Sequence, residues 1–202
     1  MTATTVLHKF RRVCVFCGSN VGDSQACTQA AQALGREIVR RQWGLVYGGG
    51  SVGLMGVLAD AVLAAGGEVT GVIPEMLATK ELLHPRATKM HVASTMHARK
   101  ALMEELSDAF VALPGGYGTF EELLEITTWA QLGIHAKPIG LVNVGGFYDR
   151  LLEFFDHAIE KGFIKAKHRD LIVSAPSPRE LLDCLERHEM PQVKKWIRVE
   201  DV

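Results

Sequence analysis

Three short glycine-rich segments follow apolar runs typical of strands, and each could bring backbone amides close to a ligand. They are Gly18-Ser19-Asn20, Gly48-Gly49-Gly50-Ser51-Val52-Gly53 and Pro114-Gly115-Gly116-Tyr117-Gly118-Thr119. Glycine lets the backbone approach a ligand closely, and a helix that begins after such a loop offers free N–H groups and the positive end of its dipole. One such loop also forms in ordinary turns, but three at the strand ends of one sheet favour phosphate binding.

The second segment also fits the dinucleotide-binding pattern G-x-G-x-x-G through Gly48, Gly50 and Gly53. It follows the second predicted strand rather than the first. The acidic residue expected about 20 positions later would be Glu68, which begins a strand rather than ending one. The pattern therefore gives little support to a dinucleotide site. The sequence also contains no G-x-x-x-x-G-K-[ST] segment of a P-loop NTPase.

Arg99 is a charged residue on an apolar helix face. The apolar stripe of the helix predicted over Thr95–Leu106 consists of Met96, Leu102, Met103 and Leu106. Arg99 falls at the centre of this stripe, where a charge is costly unless it is paired. It therefore belongs either to a structural ion pair or to a binding site for an anion. Lys100 lies about 100° further round the helix and could reach the same site or solvent.

An acidic first turn opens the helix predicted over Thr119–Leu132. Acidic residues favour the positive end of any helix, which does not explain which of them faces inward. Glu121 and Glu125 lie opposite the apolar stripe, whereas Glu122 lies near its edge. A carboxylate beside a phosphate-binding loop can stabilise a cation or position a water molecule, so Glu122 is the candidate catalytic carboxylate.

Composition excludes several other classes of function. The formal net charge of −1 does not favour a nucleic-acid partner, and no apolar run reaches the roughly 18–20 residues that span a bilayer. The eight histidines show no metal-ligand spacing, so no metal is expected. Cys14 and Cys17 form a CxxC pair, but a strand would direct them to opposite faces. We expect free thiols and a cytoplasmic protein.

The elements that position these residues alternate along the chain. Strands are predicted at Val13–Cys17, Gly44–Tyr47, Glu68–Ile73, Ala109–Leu113, Ile139–Val142 and Leu171–Val173. Helices are predicted at Ser24–Arg41, Leu54–Ala65, Thr95–Leu106, Thr119–Leu132, Phe147–Lys161 and Pro178–Arg187. This alternation predicts a single α/β domain over residues 1–202, with its core at about 13–187 and a mostly parallel, doubly wound sheet. Ligands bind beyond the carboxyl ends of such strands. The irregular Pro74–Lys89 stretch could cover a substrate there and contribute to the pocket for its base, whereas the tail from Pro191 to Val202 could dock or fray.

The combined motifs resemble the Lonely Guy family of cytokinin riboside 5′-monophosphate phosphoribohydrolases, which are often labelled lysine decarboxylases. Pro114 to Glu122 matches the family motif PGGxGTxxE, and Met96-His97-Ala98-Arg99-Lys100 is similar to its second motif. Cys17-Gly18-Ser19 and Tyr47-Gly48-Gly49-Gly50 also follow the family pattern, although Asn20 is commonly serine in relatives. The similarity runs from about Val13 to Val173.

This resemblance implies a Rossmann-like fold and hydrolysis of the N-glycosidic bond of adenine-type nucleoside 5′-monophosphates, either AMP or N6-modified nucleotides. It implies a homodimer and no cofactor, and it places catalysis on Arg99 and Glu122. Together, the glycine loops and the resemblance predict a substrate-binding set of Gly18, Ser19, Gly48, Gly49, Gly50, Glu81, Lys100, Gly115, Gly116, Tyr117, Gly118, Thr119, Phe120, Glu121 and Thr128.

Two other functions remain open from the residues. A non-catalytic nucleotide sensor or carrier would keep the glycine loops, but it has no need of an inward Arg99 beside Glu122. Lysine decarboxylation normally uses pyridoxal phosphate on a lysine, and no lysine lies in a recognisable site for it.

Assembly is predicted from Trp129, which lies opposite the apolar stripe of its helix. If that stripe packs on the sheet, Trp129 faces outward, where an exposed aromatic side chain often marks an interface. We predict that it lies in a two-fold interface, unless a neighbouring helix covers it.

Overall fold

A single parallel sheet organises the chain in a computed structural model, which describes residues 8–79 and 82–193. In this part of the chain the strands are β1 (Arg12–Phe16), β2 (Gly44–Tyr47), β3 (Val69–Pro74), β4 (Lys89–Ala93), β5 (Ala109–Ala112), β6 (Ile139–Val142) and β7 (Ile172–Ala175). Their spatial order is β4-β3-β2-β1-β5-β6-β7, and all neighbours pair in parallel. The strand order reverses at β1, which opens a crevice at the carboxyl ends of β1, β2 and β5.

Helices cover both faces of this sheet. They are α1 (Gln25–Arg40), α2 (Gly53–Ala64), α3 (Met96–Glu105), α4 (Tyr117–Leu132), α5 (Asp149–Glu160) and α6 (Pro178–Leu185), with 3-10 turns at Glu75–Leu77, Val144–Gly146 and Ala166–Leu171. Side-chain oxygens of Ser24, Thr95 and Ser177 cap α1, α3 and α6 by accepting backbone N–H bonds. No helix in the described part of the chain is both long and apolar enough to cross a membrane.

The core consists of two apolar layers, one on each face of the sheet. Leu34 of α1, Leu58 of α2 and Leu182 of α6 belong to the first layer. Met103 of α3 and Leu123 of α4 belong to the second. The predicted doubly wound α/β fold is therefore confirmed, with helices on both faces of one parallel sheet.

The cysteine prediction is also confirmed. Cys14 packs in the second layer and Cys17 in the first, so the two thiols lie on opposite faces of β1, and both are free. Burial raises the pKa of both thiols, which keeps them protonated and unreactive.

One strand was missed, and one prediction needs correction. The edge strand β4 was not predicted, because its sequence Lys-Met-His-Val-Ala lacks a buried apolar run and most of its side chains are only partly covered. Trp129 was expected to face outward, but it is half-buried and packs against the second core layer. Its place in a two-fold interface stays a prediction. The bounds of the predicted elements otherwise differ from the observed ones by a few residues, as is usual at element ends.

Candidate active site

A cavity of about 350 Å³ lies at the crevice where the strand order reverses. The loops that follow β1, β2, β3 and β5 line it, together with the first turn of α3 and of α4. The polar and glycine-loop residues of the lining, called here the polar wall, are Arg99, Gly116, Tyr117, Gly118, Thr119, Glu121 and Glu122. The large apolar residues, called here the apolar wall, are Val52, Met55, Ile73, Leu77, Leu82 and Met96.

The loop after β5 is packed so tightly that glycine is required at its base. A Cβ at Gly115 would lie 2.1 Å from Thr119 Oγ1 and 2.8 Å from the backbone nitrogen of Gly18. The Gly18 N–H also donates to the Pro114 carbonyl at 3.1 Å, which joins the first and third glycine loops. Gly116 caps α4 without a side chain, so the N–H groups of its first turn remain free for a ligand at the cavity.

Arg99 and Glu122 form an ion pair inside the cavity. Arg99 Nη1 donates to Glu122 Oε1 at 2.6 Å, and Arg99 Nε donates to the Val72 carbonyl at 3.0 Å. The two side chains are only 10% and 12% exposed, respectively. A Cβ at Gly48 would lie 2.6 Å from Arg99 Nη2, so the second glycine loop makes room for the guanidinium. The sequence left open whether Arg99 belongs to a structural ion pair or to a binding site. In the structure it does both, because it pairs with Glu122 and also lines the cavity.

The carboxyl group of Glu122 has a raised pKa. Burial is the main cause, and the negative charge of Glu121 adds to it, whereas the charge and hydrogen bond of Arg99 and the charge of Lys100 oppose it. A perturbed carboxyl in a cleft is a common property of catalytic groups. Glu122 thus combines an inward position, a fixed orientation and an altered affinity for protons.

Lys100 does not line this cavity. Its ammonium group is buried and donates to Glu125 at 2.9 Å and to Glu121. Burial lowers the pKa of Lys100, but the hydrogen bonds and charges of the two carboxylates outweigh it, and the pKa is raised. Its predicted contact with a nucleotide stays a prediction. Lys100 instead fixes Glu121, which does line the cavity.

The structure brings most of the predicted site residues to the cavity. The predicted residues that line it are Gly18, Ser19, Gly48, Gly50, Arg99, Gly116, Tyr117, Gly118, Thr119, Glu121 and Glu122. Gly49 and Gly115 lie in the supporting parts of their loops, and Phe120 stacks on Phe147 with ring centroids 6.4 Å apart. Glu81 lies outside the described residues.

Thr128 lies away from the cavity. It is exposed, and its hydroxyl donates to the Leu124 carbonyl one turn earlier at 2.7 Å. Both residues line a separate groove beside α5, which also includes Phe155 and His168. The structure therefore does not bring Thr128 to the cavity, and its predicted contact with a nucleotide stays a prediction.

The individual residues of the apolar wall were not predicted. Leu77 and Leu82 belong to the irregular Pro74–Lys89 stretch, from which a base pocket was expected without named residues, and Met96 was assigned to a buried stripe although it is 39% exposed. Val52 and Met55 carry no signal in the sequence beyond that of an ordinary helix start. Apolar residues supply no recognisable chemistry, and only the fold gathers these from the start of α2, from β3 and the segment after it, and from the start of α3.

The arrangement suits an anionic ligand that also has an apolar part. Free N–H groups at the start of α4 can hold a phosphate, Glu122 can face a developing positive charge, and the apolar wall can hold a planar ring. Among the described residues, no group of three or more His, Cys, Asp or Glu side chains could hold a metal ion.

Comparison with known proteins gives concordant matches over most of the chain. A family model described as "Possible lysine decarboxylase" matches residues 55–185. A cytokinin riboside 5′-monophosphate phosphoribohydrolase of Arabidopsis thaliana is 52% identical over 198 residues, covering 96% of this chain and 93% of that protein. A probable cytokinin riboside 5′-monophosphate phosphoribohydrolase of Oryza sativa subsp. japonica is 53% identical over 195 residues, covering 96% and 80%.

Solved structures share the fold at lower identity. The molybdenum cofactor binding protein of Rippkaea orientalis has a TM-score of 0.64 at 21% identity, covering 86% of this chain and 93% of that one. The molybdenum cofactor carrier protein of Chlamydomonas reinhardtii has a TM-score of 0.61 at 21% identity, covering 83% and 91%. At this level of identity the likeness concerns the architecture alone.

Proposed function

The chain belongs to the Lonely Guy family of cytokinin riboside 5′-monophosphate phosphoribohydrolases, and from this premise we propose that it hydrolyses the N-glycosidic bond of adenine-type nucleoside 5′-monophosphates. The products are the free base and ribose 5-phosphate. The observation that carries the proposal is the buried Arg99–Glu122 pair beside the free N–H groups at the start of α4.

Bond cleavage in such a reaction passes through an oxocarbenium-like transition state on the ribose. The bond between C1′ and the base nitrogen breaks, its electron pair leaves with the base, and a water oxygen bonds to C1′. The carboxylate of Glu122 stabilises the positive charge at C1′ and takes a proton from the attacking water. Arg99 keeps this carboxylate oriented through the 2.6 Å hydrogen bond, and a proton from solvent neutralises the departing base.

Binding energy for the reaction comes from the two ends of the nucleotide. The N–H groups of Tyr117, Gly118 and Thr119 hold the 5′-phosphate, because the first turn of α4 leaves them without helical partners. The apolar wall holds the adenine ring through Leu77, Leu82 and the other apolar side chains. Interactions remote from the broken bond then position C1′ at Glu122.

The two alternative functions fit the site less well. A carrier has no use for a carboxylate buried beside its anionic ligand, where the charge opposes binding. Decarboxylation with pyridoxal phosphate requires a lysine that reaches the cofactor, and none of the described residues lining the cavity is a lysine. Lys100, the nearest along the motif, is held by two carboxylates. The residues present do not fit that cofactor.

Product analysis tests the proposal. Purified protein is incubated with AMP, with adenosine as the matched substrate that lacks the phosphate, and with lysine. We expect adenine and ribose 5-phosphate from AMP and a far lower kcat/KM for adenosine, because the phosphate contacts contribute to transition-state binding. Binding of AMP without release of adenine would favour the carrier, and formation of cadaverine from lysine would favour the decarboxylase.

We infer further that the protein works as a homodimer. Phe154 of α5 is 63% exposed, and Phe163 just beyond this helix is 87% exposed. Leu124 of α4 is 43% exposed near the groove beside α5. Exposed aromatic surface of this kind is typical of interfaces. Light scattering tests the inference: Phe154→Ser should yield monomers, and Met76→Ser, at an exposed site in the 3-10 turn after β3, should not.

A cytoplasmic location completes the proposal. The four cysteines, Cys14, Cys17, Cys27 and Cys184, are free, as is typical of proteins in a reducing compartment. Cell fractionation followed by immunodetection tests this inference, and recovery in the secreted fraction would contradict it.

A further inference from the structure

A short segment, residues 82–84, is called here the strap. It lies beside the second glycine loop and contributes Leu82 to the lining of the cavity. The Ser51 N–H donates to the Leu82 carbonyl at 2.8 Å, and the His84 N–H donates to the Gly49 carbonyl at 3.0 Å. Gly50 and Leu83 form an isolated antiparallel bridge between these bonds. The strap therefore lies along the second glycine loop, and its Leu82 belongs to the apolar wall.

A buried histidine ties the strap to helix α2. The side chain of His84 is 3% exposed. Its Nδ1 accepts the Arg86 N–H at 3.3 Å, so the ring proton is on Nε2, which donates to Asp60 Oδ1 at 3.2 Å. Asp60 is half-exposed on α2 and also pairs with the exposed Arg86 at the surface. His84 itself does not line the cavity, so its ring has no direct contact with a ligand there.

The isolated bridge between Gly50 and Leu83 holds the strap only weakly by itself. Two-stranded pairings are at best marginally stable in water, and this one consists of a single residue pair flanked by two backbone hydrogen bonds. The hydrogen bond between His84 and Asp60 adds a side-chain anchor to a helix that packs firmly on the sheet through Leu54 and Leu58. The N–H groups of Leu82 and Leu83 also donate to the Thr79 carbonyl at 3.2 and 2.9 Å, but these bonds stay within the same segment. The ring of His84 therefore links the strap to α2 through a side chain that lies outside the cavity.

We propose that the His84–Asp60 hydrogen bond is a positioning device that holds the strap, and with it Leu82, against the base of the bound nucleotide. This inference rests on the proposed function. The phosphate and ribose are held by the polar wall, whereas the strap is bonded to the second glycine loop and to α2. Loosening the strap therefore weakens binding of the base and leaves binding of ribose 5-phosphate unchanged.

Binding measurements test the proposal without turnover. The dissociation constants of AMP and of ribose 5-phosphate are measured by calorimetry in the Glu122→Gln background. His84→Ala and Asp60→Ala each remove one partner, and Asp60→Ala keeps the protein folded because its site is half-exposed. His84→Gln is the rescue variant, because its amide can donate from near the position of Nε2. Arg86→Ala is the matched control, because it removes only the exposed partner of Asp60.

The proposal predicts a selective loss. His84→Ala and Asp60→Ala raise the dissociation constant of AMP by about threefold to tenfold, as expected when one hydrogen bond no longer favours the binding-competent strap. Their constants for ribose 5-phosphate stay within about twofold of the parent, as do both constants of His84→Gln and Arg86→Ala. In the wild-type background, the same two substitutions raise KM for AMP and leave kcat unchanged.

Three outcomes overturn the proposal. They are unchanged AMP binding in both His84→Ala and Asp60→Ala, an equal loss of AMP and ribose 5-phosphate binding, and failure of His84→Gln to restore AMP binding. Failure of the proposed function looks different, because wild-type protein would then release no adenine from AMP. Selective weakening of AMP binding in the two variants would in that case still support the strap.

Discussion

The polar wall and the apolar wall of the cavity are built in different ways. Most of the polar wall comes from residues 114–122, a continuous glycine loop and helix start whose base packs against Thr119 and the adjacent loop after β1, and Arg99 of α3 completes it. The apolar wall comes from four separate parts of the chain, which are the start of α2, β3, the segment between β3 and β4, and the start of α3. Within that segment, Leu82 lies in the strap that bonds to the second glycine loop and to α2. The polar wall therefore contributes hydrogen-bonding and charged groups, most of which are close together in the sequence. The apolar wall contributes a nonpolar surface from residues that are distant in the sequence.

The largest expected difference between these regions concerns their ion pairs. Arg99→Met leaves the buried Glu122 carboxylate without its partner, and we expect a loss of about 3–5 kcal/mol of unfolding free energy. Arg86→Met breaks the exposed pair with Asp60, which should cost less than about 1 kcal/mol. Chemical denaturation measures both. Similar losses for the two variants would contradict the idea that only the polar wall depends on a buried charge pair.

Side chains of the apolar wall should affect binding rather than chemistry. Leu77→Ala removes apolar surface that the base would cover, so we expect KM for AMP to rise about threefold to tenfold while kcat changes by less than about twofold. Met76→Ala is the matched control, because Met76 lies in the same 3-10 turn but is 76% exposed and does not line the cavity. Steady-state measurements of KM and kcat for both variants test this expectation. A fall in kcat for Leu77→Ala would place the apolar wall in the chemical step.

The smallest expected effect concerns pH and belongs to the polar wall. Because Glu122 acts in its ionised form and its pKa is raised by burial, kcat/KM should fall with decreasing pH at a value above the 4.5 of an ordinary glutamate. Lys100 lowers this pKa and also pairs with Glu121, whose charge raises it. Lys100→Gln should therefore move the acid limb to higher pH. An acid limb of the kcat/KM profile at or below pH 4.5, or a shift of this limb to lower pH in Lys100→Gln, would contradict the assignment of the limb to Glu122.

The residues of the polar wall could be predicted from the sequence, because each follows from the pattern of a few neighbouring positions. The individual residues of the apolar wall could not. Arg99 could be placed inward because a charge at the centre of an apolar helix stripe requires a partner, and its partner Glu122 followed from the edge of the next stripe. Glycine loops at strand ends were recognisable for the same reason, since tight backbone packing restricts the residue type. These features are properties of a few neighbouring positions.

The missed features depend on the assembled fold. Strand β4 has little apolar pattern because it is an edge strand, and Leu82 becomes a cavity residue only when the strap pairs with the second glycine loop. Lys100 was predicted to contact the nucleotide because of its place in the motif, but its ammonium group donates hydrogen bonds to Glu121 and Glu125. Trp129 was expected outside because the helix pattern alone cannot show what else packs beside α4.

The most direct test of the central claim is the turnover of AMP by Glu122→Gln, measured together with the binding of AMP to the same protein. The substitution removes the charge and keeps the shape, so kcat should fall by about 10²-fold or more while the dissociation constant changes by less than about threefold. Glu105→Gln, on the exposed face of α3, should retain wild-type values for both. Turnover by Glu122→Gln at a rate near that of the wild type would show that Glu122 is not the catalytic carboxylate.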